Sequence, residues 1–243
     1  MAIRFDAVGD VVVRTTGVPA FGDLTRMCWL YRAADMATNE AIFFVANSAS
    51  YTTYMGLYLS SATAAVQPTY NLTGFGSATG TVLSLTTWYH VATVFDNTAD
   101  TYKAYLNGVL DATVTSVAGS AVWAHEAIGN LYASSTARIN GRIGAYKSWT
   151  AVLTADEIKQ EMWQYVPVRL ANIASWAPLR DATDLGDFAN GVTFTGSGAL
   201  VTEDGPPIVW SRRSLTYRWR AAALPYLWPS HTMTPAVQRA AFW

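Results

Sequence analysis

Residues 87–110 read TWYHVATVFDNTADTYKAYLNGVL, and their pattern decides the fold. From Trp88 to Phe95 most positions are β-branched or aromatic, side chains that fit a pleated, buried surface. The cluster Asp96-Asn97-Thr98-Ala99-Asp100 stops this run, and Tyr102 to Leu106 resumes it. Asn107-Gly108 follows, the dipeptide best suited to the positive φ angles of a type I′ turn, so the chain from Val109 is expected to return antiparallel to residues 102–106. The stretch predicts consecutive antiparallel strands in the middle of a sheet.

The flanking chain repeats the same alternation of strand and turn. Residues 11–13, read as the first strand, are followed by core strands over 24–32 (LTRMCWLYR) and 41–46 (AIFFVA), while 51–59 alternates less cleanly. Residues 60–80 are rich in Ser, Thr, Ala and Gly and predict short strands with long loops at one edge. Gly74 to Gly80 lacks the glycine interval and the following Lys of a phosphate loop and reads as a turn. Further strands are expected over 109–117 and 127–132, and residues 138–149 lead to a helix. One helix is predicted over 154–165. Thr154 and Glu157 form a capping box that satisfies free N–H groups, Leu153 and Ile158 are placed as a hydrophobic staple, and Pro167 ends the element. Ile158, Met162 and Tyr165 share one helical face. Asp156, Glu157 and Glu161 read as dipole partners and a solvated face.

Three motifs in order carry a family resemblance. Ile3-Arg4-Phe5-Asp6-Ala7-Val8-Gly9-Asp10-Val11 opens the chain. Trp88-Tyr89-His90-Val91-Ala92 with Tyr105-Leu106-Asn107-Gly108 forms its centre. Gly141-Arg142-Ile143 with Leu153-Thr154-Ala155-Asp156-Glu157-Ile158 closes it. Together they resemble laminin-G-like domains of the concanavalin A-like lectin/glucanase class, as found on phage virion proteins. The resemblance implies an all-β, two-sheet antiparallel jelly-roll sandwich. Gly144-Ala145 stand where that family usually has an acidic pair, which removes those carboxylates from any role. Residues 176–207, with Trp176-Ala177-Pro178-Leu179, Asp184-Leu185-Gly186-Asp187-Phe188-Ala189-Asn190-Gly191 and Gly205-Pro206-Pro207, look like an element that normally precedes the opening strand. The resemblance therefore implies a sandwich completed in permuted order, which neighbouring domain termini permit.

Composition bounds the rest. The chain has 243 residues, enough for one sandwich with an appendage, and is 51% hydrophobic. Ten Trp and thirteen Tyr stand against three Lys, which suggests contact surface as well as core. About two thirds of these aromatics are expected to fill the core. Asp6 and Asp10 interrupt the apolar run a secretory signal needs, and no stretch approaches the ~18 apolar residues of a membrane span. The expectation is a protein made in a host cytoplasm, not secreted, and without a membrane partner. The lone Cys28 reads as a buried thiol, and Asn71-Leu72-Thr73 as an accidental glycosylation match.

The composition changes after residue 209. Residues 210–243 contain five Arg, no acidic residue and Pro at 225, 229 and 235, so in a chain of net charge −1 the first 209 residues sum to −6. The predicted organisation is a sandwich over 1–209 and an extended basic, aromatic arm over 210–243. Trp210, Arg212, Arg213, Arg218, Trp219, Arg220, Tyr226, Trp228 and Trp243 are the candidate partner-docking residues, since Trp and Arg are enriched at interface hot spots. Nucleic acid is set aside, because five charges without a recognisable fold give only weak, salt-sensitive binding.

No chemistry of bond making emerges. The paired carboxylates of a retaining glycosidase on one strand are missing, as are G-x-S-x-G, H-E-x-x-H and zinc spacings. His90 reads as a structural hydrogen-bonding residue, and His125 and His231 are isolated. Asp184, Asp187 and Asn190 offer oxygen ligands for at most a weak structural Ca²⁺, and the turn is better explained by backbone needs. No catalytic residue, metal or other cofactor is assigned. The first functional expectation is a non-enzymatic virion structural protein of a tailed phage, in capsid decoration, tail or fibre, whose partners are other virion proteins and copies of itself. The alternative is a carbohydrate-binding module for host surface glycans. A glycoside-active enzyme ranks last.

Overall fold

The computed structural model describes residues 1–48, 52–72, 75–117, 119–131 and 137–208. Two antiparallel sheets pack face to face. The first is ordered β10 (Val109–Thr115), β9 (Thr101–Leu106), β8 (Trp88–Asp96), β3 (Leu24–Arg32), β12 (Gly141–Trp149), β1 (Ala2–Phe5) and β15 (Val201–Glu203), and β13 (Ile173–Ala177) also pairs with β12. The second is ordered β14 (Thr195–Ser197), β2 (Val11–Arg14), β11 (His125–Ile128), β4 (Glu40–Ala46), β5 (Tyr54–Leu59), β6 (Val66–Asn71) and β7 (Phe75–Ser77). The helix α1 (Ala155–Met162) packs on the first sheet. The all-β jelly-roll expectation holds.

Side-chain alternation explains the layers. Ile3, Phe5, Cys28, Leu30, Val91 and Ile143 of the first sheet meet Val12, Ile42, Phe43, Leu57, Val66 and Ile128 of the second in one buried cluster. Each large member contributes about 1.5–3 kcal/mol by leaving water. The opposite face of the second sheet carries smaller buried clusters, Val11, Val13 and Ala127 in one and Ala41, Phe44 and Tyr58 in the other.

The β8–β10 stretch folds as its sequence requires. Asn107 and Gly108 take φ of 50° and 78°, and Val109 pairs with Leu106. A Cβ on Gly108 would lie 2.5 Å from the Lys159 side chain, so glycine is needed twice over. The Asn107 side chain adds a further anchor, accepting from the His90 backbone N–H at 2.9 Å. The hairpin does not occupy the middle of the sheet, however. Strand β8 is interior, but β10 is the edge, and its Val109 and Leu110 are exposed.

Strand β12 has a bulge. Gly144 pairs with Trp29 and Lys147 with Met27, leaving Ala145 (φ 55°) and Tyr146 opposite Cys28. The bulge divides the β12 edge, which pairs with β1 through Gly141–Ile143 and with β13 through Tyr146–Trp149. It begins at Gly144-Ala145, the two residues that stand in place of the acidic pair the resemblance would lead one to expect.

Several expectations need correction. Strand β1 precedes residues 11–13, which therefore form the second strand. Phe75–Ser77, within the expected turn, pairs with β6. The helix stops at Met162, three residues short of the predicted end at Tyr165, with Trp163 as its C-cap, and Tyr165 is buried beyond it. Glu161 is not solvated: its carboxylate lies 2.8 Å from Lys147 and accepts from the backbone of Val168 and Arg169. The capping box is present as expected, and Leu153 and Ile158 pack in one cluster. The described residues belong to one compact unit, and the proposed boundary after 209 with the arm lies outside them.

Candidate functional site

The chain from β13 to β15 completes both sheets. Strand β13 joins β12, while β14 joins β2 and β15 joins β1 as an edge strand of each sheet. Its strands are short, and polar contacts hold it. Asp187 is the clamp. Its Oδ2 accepts from Arg14 Nη1 at 2.6 Å and Ser175 Oγ at 2.9 Å, and its Oδ1 accepts from the backbone of Trp176 and Ala189. Arg14 also donates through Nε to Glu126 at 2.6 Å, and Glu126 accepts from the Tyr146 hydroxyl. The Arg14, Glu126 and Asp187 side chains are fully buried. Burial opposes the Arg14 charge, but Glu126, Tyr146 and Asp187 together raise the guanidinium above its ordinary value. Burial and the Glu126 carboxylate push the Tyr146 hydroxyl well up, so it remains a donor.

This clamp presents the turn between β13 and β14. Asp181, Asp184, Asp187 and Asn190 accept from backbone N–H groups two residues on, at Thr183, Gly186, Ala189 and Val192, as turn residues do. The Ca²⁺ reading does not fit. Arg14 already neutralises Asp187, and the Asn190 oxygen serves the Val192 N–H. Among the described residues, no three His, Cys, Asp or Glu side chains converge as metal ligands.

Between this turn and the start of β1 lies a cleft of about 140 Å³, lined by Met1, Pro178, Arg180, Asp181, Asp184 and Phe188. Phe188 is 40% exposed and its ring stands 5.3 Å from that of Trp176. Hydrogen bonds from the Thr183 backbone and hydroxyl hold Asp181 below its ordinary value, so it stays anionic. Leu179, with φ of 50°, and Ala145, with φ of 55°, lie beside the cleft residues in chain or contact, and the Ala145 N–H donates to Pro178 O at 2.8 Å. A left-handed non-glycine backbone costs about 1–3 kcal/mol and clusters at functional sites. The cleft offers an apolar ring face, a guanidinium donor and two carboxylate acceptors. Sequence reading selected Asp184 for a different role and missed Arg180 and Phe188, which follow no periodic pattern.

The buried charged groups outside the cleft serve the fold. Glu40 pairs with Arg32 and Glu161 with Lys147, all four buried. Asp10 accepts from the backbone of Asp6, Ala7 and Ala199. Burial raises the Cys28 thiol out of the reactive range. His90 is neutral, lowered to about 3 by burial and by Lys147, and its ring meets Trp29 edge-on at 5.6 Å. Its Nδ1 has no hydrogen-bond partner, so the structural role lies in packing and in its backbone bonds to Asn107. His125 sits in β11; His231 and the docking residues Trp210 to Trp243 lie outside the described residues.

A family profile described as the concanavalin A-like lectin/glucanases superfamily, of the laminin G type, matches residues 6–159. The chain belongs to this family. None of the curated proteins matches the concanavalin A-like chain. Among solved structures it is similar to a candidate carbohydrate-binding protein from Bacteroides ovatus, with 18% identity and a TM-score of 0.65, over 86% of this chain and 61% of that one. It thus spans about three fifths of that protein's length. A heptameric SAP-like pentraxin from Limulus polyphemus gives 14% identity and a TM-score of 0.59, over 82% and 93% of the two chains. The CBM40 of a Ruminococcus gnavus IT-sialidase, bound to α2,3-sialyllactose, gives 15% and 0.54, over 66% and 96%. At these identities the likeness is one of fold.

Proposed function

We propose that this concanavalin A-like sandwich is a non-catalytic carbohydrate-binding domain and that the Phe188 cleft receives a single sugar residue. The observation that carries the reading is the combination in one cleft of a part-exposed aromatic face, the Arg180 guanidinium and the Asp181 and Asp184 carboxylates. A pyranose has an apolar C–H face and a rim of hydroxyls, and these groups complement both. Carbohydrate binding in the similar solved structures supports the choice of ligand class. The non-catalytic part rests on the roles of the carboxylates: Glu40, Glu126, Glu161 and Asp187 are each tied to a buried cation, and the two in the cleft, Asp181 and Asp184, each accept from a backbone N–H two residues on.

A glycan array probed with the full chain tests this. The expected result is a defined set of hits that Phe188→Ala weakens at least about tenfold while the melting temperature holds. No reducing ends should appear when hit glycans are incubated with the protein. An empty array, or hits indifferent to Phe188→Ala and Asp184→Ala, would refute the cleft.

A second reading is favoured by the charge asymmetry between residues 1–209, at −6, and the five arginines that follow. In it the domain is carried on a phage virion and the arm docks it to other virion proteins or to copies of itself. Truncation after Val209 should then leave a folded domain that no longer assembles; unchanged assembly would remove the arm from the account.

A further inference from the structure

The outward face of the first sheet is only partly covered by α1. Met27, Ala92, Trp149 and Tyr105 lie beneath the helix with Ile158, and Trp29 lies beneath Met162 and Tyr165. The next cross-strand row is left at the flank of this cover. It runs Trp88 on β8, Tyr31 on β3, Arg142 on β12 and Arg4 on β1, each directly opposite the next. All four are half-buried, Trp88 partly against the Trp29 cluster, and Trp163, 52% exposed, has its ring 5.5 Å from Trp29. At about 4.8 Å per strand the row spans about 14 Å, longer than one sugar ring.

Its chemistry is divided, with two aromatic rings at one end and two guanidinium groups at the other. The Trp88 and Tyr31 rings are 5.4 Å apart, and the Arg142 guanidinium carbon lies 4.4 Å from the Tyr31 ring centre. Glu203 holds Arg4 at 2.7 Å and Arg142 at 2.8 Å, and Asp6 holds Arg4 at 3.0 Å. The guanidinium heads are therefore positioned in advance, and their charges are balanced by two carboxylates. We infer that this row is a second carbohydrate surface that takes several consecutive residues of a neutral polysaccharide laid across the strands. The exposed part of the Trp88 ring meets the C–H face of a sugar, and the Tyr31 hydroxyl edge, the arginines and Glu203 meet hydroxyls along the chain. Charge balance disfavours a polyanion. Trp, Tyr and Arg also mark protein hot spots, but those need a desolvated apolar centre, and in this row only Val201, opposite Arg4, adds an exposed aliphatic side chain.

The inference rests on the carbohydrate-binding reading and extends it from one sugar to a chain. The test is affinity electrophoresis of the full chain through gels containing arabinan, xylan, mixed-linkage β-glucan, galactomannan or dextran. Wild type and Phe188→Ala should be retarded alike by at least one polymer. Trp88→Ala should weaken that retardation at least about tenfold, and Arg142→Gln, which removes the guanidinium from over Tyr31, about threefold or more. Retardation that survives both variants, or that Phe188→Ala alone abolishes, overturns the second surface. So does a chain retarded by none of the five polymers, or a Trp88→Ala effect that appears in self-association by sedimentation rather than in the gels. Array hits without polymer retardation remove this surface and leave the cleft. Retardation lost with Trp88→Ala beside an empty array supports the row and removes the cleft.

Discussion

Strands β3 and β12, nine residues each, are buried over almost their whole length, whereas β14 and β15, three residues each, are exposed or half-buried. The long strands hold their places through apolar alternation and the large inter-sheet cluster. The segment that carries the short ones is fixed by Asp187, which accepts from Arg14, Ser175, Trp176 and Ala189, and by Asp10, which accepts from Asp6, Ala7 and Ala199. The difference explains where a cleft can form. A segment not committed to the core can shape a polar surface, provided that a buried ion pair fixes its root.

The largest effect should come from breaking that root. Asp187→Ala leaves Arg14 with half its compensation in a dry interior and should lower unfolding free energy by about 3–5 kcal/mol, read from denaturant midpoints. Val201→Ala, on the edge strand beside it, should stay within about 0.5 kcal/mol. A cost for Asp187→Ala no larger than that for Val201→Ala would erase the contrast between the regions.

Acidification probes the long-strand region. His90, at about 3 in the folded chain and near 6.5 when unfolded, binds more protons after unfolding anywhere between those values. Its contribution is thus fully present above pH 6.5 and is lost as pH falls toward 3, by up to about 1.4 kcal/mol per unit. His90→Phe should flatten the stability profile between pH 6.5 and 4.5, above the range where carboxylates titrate. An unchanged slope would mean that the ring is not sealed against Trp29.

Smaller still is the cap that joins the regions. Thr154→Ala removes one half of the capping box and should cost about 1 kcal/mol, seen as a lower thermal midpoint with no change in glycan binding. Lost glycan binding would place the helix in the site.

The same contrast marks what the sequence revealed. Residues 24–32 are readable to the residue because the central stretch Met27 to Tyr31 is apolar or aromatic on both faces, and Asn107-Gly108 and Thr154-x-x-Glu157 because local hydrogen bonding alone dictates them. The edge position of β10 was available in principle: its exposed Val109, Leu110, Thr113 and Thr115 surround only Ala112 and Val114 as buried residues. Glu161 was misread because its partner, Lys147, comes from another strand, and no periodicity on the helix announces it. Arg180 and Phe188 escaped for a related reason. Their meaning depends on Arg14 and Asp187, 173 residues apart in the chain, closing an ion pair that places the turn.

The cleft is tested most directly by a ¹⁵N NMR titration of the full chain with the strongest glycan-array hit. The account predicts saturable shifts concentrated at the backbone amides of Arg180, Asp181, Asp184, Gly186 and Phe188, abolished by Phe188→Ala with the rest of the spectrum intact. Saturable shifts confined to other residues, with these five amides unmoved, would contradict it.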